Sequence, residues 1–262
     1  VKPYRICHLS AGVASWMAAK RTVERYGPEM VLLLFADTLI ESAGAYAFLE
    51  ACVANIGTVY GFHRLSDGRT PWQVFRDERF LGNSRVDPCS RILKRELLAK
   101  WIEDRFTPEN CVQVFGFDWS EGDRFERLQK RFDPWPVDAP LLEPPYLEKR
   151  QIVQKARDAG LPISPMYELG FDHDNCGGRC VKAGQAHYAK LFHVLPSVYA
   201  EVESEENALR GLLGNVSILK DRTGGESRPL PLGEFRARIE AKNFDTFDFG
   251  ACSCFAPVEA TA

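Results

Sequence analysis

Two groups of residues in this chain have the types and spacing to do chemistry. The first is Ser10-Ala11-Gly12-Val13-Ala14-Ser15, a run of mostly small side chains. The second is a set of short-spaced cysteines, Cys176-Gly177-Gly178-Arg179-Cys180 and Cys252-Ser253-Cys254. The small-residue run suits phosphate. Where a helix begins, the first N–H groups have no partner inside the helix and lie at the positive end of its dipole, so a turn without bulk lets an anion reach them. Ser10 and Ser15 add hydroxyl donors, and Gly12 tolerates a positive φ and the close approach of an oxygen. Plain helix capping is the alternative reading of such a turn.

The cysteine spacing suits a metal. Glycines beside a thiolate let the backbone curl round an ion and point N–H groups at the sulfurs. Cys176, Cys180, Cys252 and Cys254 would complete a tetrahedral zinc site or ligate an iron–sulfur cluster, with Cys89 as a fifth candidate. Five thiols for four positions leave one over, Cys89 or Cys254 as the candidate nucleophile, because a thiolate near positive groups is the reactive form. Arg179 and Lys182 are the candidates for that field. His173 is a candidate substitute ligand, whereas His187 and His193 read as helix-surface or core histidines. Cys7, Cys52 and Cys111 fall inside strand or helix patterns and read as buried thiols.

The elements that must position these groups follow from periodicity. Tyr4–Leu9 reads as a buried strand, and the chain from Val13 onward as a helix. The apolar run 31–36 suits a buried parallel strand that delivers Asp37 to the same sheet edge as the Ser10 turn. A helix over 41–55, a strand over 58–65, a short helix over 71–79, a basic helix over 90–106, a strand over 111–117 and a short fifth strand over 137–142 come next. This alternation predicts an α/β fold, a doubly wound, mostly parallel sheet with ligands at the strand C-termini. On the basic helix, Arg91, Lys94 and Arg95 lie on adjacent turns and are candidates to hold a polyanion; a solvated face is the alternative. Beyond residue 180 come helices over 182–195, 197–213 and 232–241 and a small hairpin over 216–220 and 228–232. They would fold the Cys252-Ser253-Cys254 tail back over the nucleotide face, with Arg222 and Arg228 as candidate substrate contacts. The organisation expected is a nucleotide-binding domain over 1–172 and a Cys-rich, mainly helical extension over 173–262.

Composition narrows the function classes. The chain has 262 residues, 45% hydrophobic and 26% charged, which is a globular composition. A net charge of -3 gives no general attraction for nucleic acid, although a local basic patch remains open. No apolar run approaches the ~20 residues needed to span a bilayer, and no signal-peptide pattern opens the chain, so a cytoplasmic protein with no membrane partner is expected. Eight cysteines in that compartment point to metal, redox chemistry or burial in place of a disulfide framework.

The order of these motifs resembles the PP-loop adenine nucleotide α-hydrolase-like superfamily, and within it the phosphoadenosine phosphosulfate (PAPS) reductase family. SAGVAS at residues 10–15 stands where that family has a Ser-Gly-Gly-like loop, and FADT at 35–38 closes the second strand. CSRILKRELL at 89–98 is similar to its Cys-x-x-Arg-Lys segment, and GFDWSEGDR at 116–124 to its Gly-x-Arg-x-x-Glu-Ser stretch. PLLEP from Pro140, the helix after it, and LPISPMYELGF at 161–171 are similar to its Pro-Leu strand, helix and Pro-x-Tyr-x-x-Gly turn. The resemblance spans roughly residues 4 to 185.

The resemblance implies a PP-loop, Rossmann-like fold binding ATP or PAPS. Ser10, Ala11, Gly12 and Ser15 would form the phosphate loop, with Asp37 and Thr38 beside the ribose or adenine. Arg91 and Lys94 would neutralise phosphate or sulfate oxygens, and Gly116, Asp118, Glu121 and Arg124 would close the site. It also implies a [4Fe-4S] cluster over zinc, with magnesium as a companion of ATP. The family's reductases have two adjacent cysteines where only Cys89 stands here, and a later pair spaced by two where this chain has three. Ala11 and Ala14 replace a Gly and an Asp of many ATP-cleaving members, and the C-terminal Glu-Cys-Gly-Leu/Ile-His motif of thioredoxin-dependent reductases is absent. The expected function is therefore sulfur transfer or nucleic-acid modification through adenylation, by a PP-loop ATP pyrophosphatase or sulfurtransferase. A sulfonucleotide reductase releasing sulfite and a non-catalytic nucleotide-binding subunit are the alternatives. The partners implied are an adenine nucleotide, a nucleic-acid acceptor or a sulfur-donor protein, with a homodimer as the candidate assembly.

Overall fold

A strand covered on both faces needs apolar residues at every position, and β2 (Val31–Asp37) is buried along its whole length. The computed structural model describes residues 2–57, 60–223, 226–248 and 250. In it β1 (Tyr4–Leu9), β2, β3 (Phe62–Ser66), β4 (Cys111–Val114) and β5 (Val137–Asp138) form one parallel sheet in the order β3-β2-β1-β4-β5. Cys7 stands opposite Leu33 on one side and Val114 on the other.

Side chains alternate between the two faces, and helices cover both. Cys7, Leu9, Leu33, Phe35 and Val114 pack with residues of α1 (Val13–Tyr26), α2 (Ala43–Ile56) and α7 (Lys149–Asp158). Ile6, Leu32, Leu34 and Ala36 pack with Leu98 and Ile102 of α5 (Leu97–Glu103). The doubly wound α/β expectation is met. Chain order reverses at β1, which has β2 on one side and β4 on the other, and such a switch point opens a crevice at the strand C-termini.

Other boundaries moved for identifiable reasons. The third strand starts at Phe62, residues 58 and 59 lying outside the described set. The fourth stops at Val114, and the fifth is Val137–Asp138 followed by a 3-10 turn, Pro140–Leu142, because Pro140 has no N–H to continue a ladder. The expected basic helix over 90–106 is three pieces: α4 (Pro88–Ser90), a π-helical turn (Arg91–Glu96) and α5.

A second core joins α3 (Pro71–Asp77), through Trp72 and Phe75, to α9 (Gln185–Val194), α10 (Pro196–Leu213) and α11 (Leu232–Glu240). Residues from both sides of position 173 therefore share this core. Within it the carboxylate of Glu206, fully buried, accepts the N–H groups of Ile218 and Leu232 at 2.8 and 2.6 Å. It ties α10 to the start of α11 and to the chain before the antiparallel hairpin of β6 (Leu219–Asp221) and β7 (Arg228–Leu230). Among the described residues no helix is long and apolar enough to cross a membrane.

Candidate nucleotide site and thiol hairpin

The turn from β1 to α1 is held by Ser15. Its Oγ accepts from the Ser10 N–H at 3.1 Å, lies 3.2 Å from the Ser10 hydroxyl and donates to the Gly12 carbonyl at 2.8 Å. The positive φ expected at Gly12 falls on its neighbour: Ala11 has φ 55 and Gly12 φ -116, an extended N-cap. The N-cap position of α1 is Gly12, which has no side chain to cap it, and the Val13 N–H is met instead by the Tyr167 hydroxyl. Gly116, just beyond β4, allows the sheet to press on this turn, since a Cβ there would stand 2.7 Å from the Ser15 nitrogen.

A cavity of about 400 Å³ opens at this point, within the size range of small-molecule sites. Of the residues singled out in the sequence, Ser10, Gly12, Ser15, Lys94, Gly116, Asp118, Glu121 and Arg124 line it. So does His173, the candidate substitute ligand, and with it Lys149 and Tyr167, which the sequence did not single out. Arg124 pairs with Glu121, whose other oxygen accepts the Asp118 N–H at 3.1 Å, while Asp118 caps the turn through Ser120. Lys149 donates to the Asp172 carbonyl, and burial pulls its pKa down. The Tyr167 hydroxyl bonds the Val13 backbone at the start of α1, and burial pushes its pKa up to about 12. His173 is pulled below its usual pKa by burial and by Lys149, and its buried Nδ1 has no hydrogen-bond partner.

The remaining residues lie elsewhere. Ala11 is outside the cavity lining, and Cys89 sits half-buried in α4 against the second core. Asp37 is 2% exposed and fully engaged, accepting from Tyr46 at 2.7 Å, the Leu39 N–H at 2.9 Å and Arg64 at 2.6 and 2.9 Å. Burial alone would raise its pKa, but these partners outweigh it and hold the carboxyl below its usual range. Thr38 bonds Glu41. Arg91 does not share a cavity with Lys94: it pairs with Glu78 and Glu96 at 2.7 and 2.8 Å. The π-helical turn, with its i→i+5 bonding, breaks the α-helical register that would set Arg91 and Lys94 side by side.

Glu41 connects the cavity to the cysteine hairpin. Its carboxylate, 4% exposed, lies 3.4 Å from the Lys94 ammonium, 3.2 Å from the Thr38 hydroxyl and 2.8 Å from the Cys176 nitrogen, whose N–H it accepts. Next to it, Ser42 and Ser164 both donate to Asp174. Cys176, Gly177 and Gly178 are consecutive left-handed residues with φ 54, 57 and 84. This curl brings the Cys176 and Cys180 thiols into hydrogen-bonding contact; that contact, burial and the Glu41 charge hold Cys176 well above the usual thiol pKa. The nearby cation acting on Cys176 is Lys94. Arg179 pairs with Glu201 at 2.7 Å, and Lys182 lies 3.4 Å from the buried carboxylate of Asp87.

Adjoining thiols are what two ligands of one ion require, so the hairpin fits part of a metal or cluster site. Among the described residues no group of three His, Cys, Asp or Glu side chains is placed to hold a metal, and Cys252 and Cys254 lie outside those residues. His187 is half-buried, 2.8 Å from the Gly178 carbonyl, and His193 is exposed. Cys7, Cys52 and Cys111 are buried thiols; burial raises Cys7 to about 12 and Cys111 to about 11.

Against known proteins, no family model matches the chain and no curated protein matches it. Among solved structures it is similar to a phosphoadenylyl-sulfate (PAPS) reductase from Candida auris in its phosphate complex. That match has a TM-score of 0.47 at 14% identity over 66% of this chain and 80% of that one.

Proposed function

We propose that this cavity binds an adenine nucleotide, ATP or PAPS, with its phosphates on the Ser10–Ser15 turn, and that the chain is a sulfur-transfer or nucleic-acid-modifying enzyme. The observation that carries the reading is convergence. Lys94, Arg124 and Lys149 come from three separate elements to one cavity at the N-terminus of α1, and fixed donors of this kind stabilise a polyanion.

In adenylation an acceptor oxygen attacks the α-phosphorus, the α–β P–O bond breaks, and pyrophosphate departs carrying the charge. Lys94 and Lys149 would hold that charge, and the α1 N–H groups would orient the phosphates without reorganising during the reaction. Glu121 would keep Arg124 facing the site. To reach the Val13 N–H, a phosphate oxygen must displace the Tyr167 hydroxyl. Cys176 and Cys180 would supply two thiolate ligands to an iron–sulfur cluster or zinc ion, with Cys89, Cys252 and Cys254 as the other candidates. Such a group, when bound, supplies a site for activated sulfur.

Calorimetric titration of ATP and of PAPS into protein purified without oxygen tests this reading. Preference for ATP with release of pyrophosphate supports adenylation, and preference for PAPS with release of sulfite supports the reductase alternative. Lys94→Ala and Lys149→Ala should each weaken binding about tenfold, the scale of one hydrogen bond to a charged group. Binding of neither nucleotide, or affinity unchanged in the double variant, overturns the proposal.

A further inference from the structure

A second cavity, of about 610 Å³, lies between the π-helical turn and α5 on one side and the end of α6 (Gly122–Phe132) on the other. His8 and Leu98 line both cavities, so the two share a wall. Its chemistry differs from that of the first. Arg91 and Arg95 reach it from the π-helical turn and Arg131 from α6.

The lining carries three arginines and three carboxylates, Glu96, Glu103 and Asp133. Glu96 is taken by Arg91, and the other lining carboxylates, Glu103 and Asp133, are exposed to water. Asp87, a buried carboxylate behind this lining, stands between Lys182 at 3.4 Å and Arg95 at 3.6 Å. Arg131 has no ion-pair partner among the described residues; partial burial and repulsion by Arg95 lower its pKa against the attraction of Asp87. Cations held together across a cleft attract an anion. The lining also presents the rings of Trp135, Phe132 and His8, next to aliphatic side chains and Gln113, and the His8 ring is stacked on Phe115 at 4.5 Å and 6°. An anion site beside aromatic faces matches a base with its phosphate.

We propose that this second cavity binds a nucleotide phosphate, the phosphate between Arg95 and Arg131 and the base against Trp135. Binding here stands on this cavity alone. Its role as the entrance for the acceptor rests on the nucleotide reading of the neighbouring cavity, because the shared wall at His8 and Leu98 puts the two ligands side by side. The ligand is a free mononucleotide or one unit of a nucleic-acid strand, and the experiment separates these.

The probe is a fluorescein-labelled single-stranded oligoribonucleotide of about ten residues, a usual site size, titrated into the full chain at several salt concentrations. UMP and unlabelled oligonucleotide serve as competitors, and ATP is titrated in parallel. Displacement by UMP at concentrations comparable to the oligonucleotide assigns a mononucleotide site; displacement by oligonucleotide alone assigns a strand. Arg131→Glu should weaken the probe at least about tenfold, and Arg131→Ala should lower the salt slope by about one, with ATP affinity unchanged in both. No saturable binding of either competitor or probe at low salt, or binding indifferent to Arg131→Glu, overturns the proposal. Failure of ATP to bind the unaltered chain would instead sink the reading of the first cavity and leave this result legible.

Discussion

Gly116→Ala tests the packing on which the candidate nucleotide site depends. The backbone at Gly116 is not left-handed, so space and not torsion is at issue. An added Cβ would lie 2.7 Å from the Ser15 nitrogen and 2.8 Å from Ala14 C and Ser15 Cα, all main-chain atoms. Ordinary carbon contacts need about 3.5 Å, so the end of β4 and the first turn of α1 must part by roughly 0.7 Å. Overpacking of this kind costs about 1–3 kcal/mol; at about 2 kcal/mol the Tm of a chain this size falls by about 4–8 °C. The displaced atoms are those that would meet phosphate, so ATP affinity should also fall, by about tenfold or more. Gly211→Ala is the control: nothing lies within 4 Å of its Cβ, and it sits in α10, where alanine gains up to about 1 kcal/mol. Thermal unfolding and calorimetry of the two variants read both effects. A Gly116→Ala protein that melts with the unaltered chain and binds ATP equally well would refute the reasoning.

Three further outcomes are expected. Burial holds His8 and His187 at about 4, against about 6.5 unfolded; the unfolded chain therefore binds more protons between these values, and stability, complete above about pH 6.5, falls as pH drops through 4. Each histidine contributes up to about 3 kcal/mol to that loss, so urea midpoints at pH 7 and 4.5 should converge in the His8→Gln/His187→Gln variant, and an undiminished gap would contradict the assignment. Glu206→Ala strands two buried N–H groups and should cost about 2–4 kcal/mol, with Glu206→Gln milder; equal denaturation curves would show the carboxylate to be dispensable. Ser15→Ala removes the acceptor of the Ser10 N–H, and should lower stability by about 1–2 kcal/mol and weaken ATP in calorimetry, a result absent if the turn is held by other contacts.

The sheet was legible because strand and helix alternate and because β2 opens as a short apolar run with a clear end. The turn from β1 into α1 was legible too, but the residue in the left-handed region is Ala11 and not Gly12, which could have taken it, a torsion that residue type alone does not reveal. Arg91 and Lys94 were grouped because three residues on an α-helix bring side chains together; the π-helical turn that parts them leaves no mark in the apolar pattern of Ile92, Leu93 and Leu97. Lys149 was not singled out, yet a signal existed, since a lysine at the first position of α7 opposes the helix dipole and calls for another reason to be there. Glu41 bonding Cys176 is a contact across 135 positions, which no local spacing contains.

Glu41 also joins the thiol hairpin to the candidate nucleotide cavity. One buried carboxylate meets the Lys94 ammonium through one oxygen and the Cys176 amide through the other. If an anion that draws Lys94 away loosens that hold, then by thermodynamic reciprocity a ligand that rearranges the hairpin through Glu41 alters affinity for the anion by the same factor. The two sites are thus the arms of a single balance, with Glu41 as its pivot.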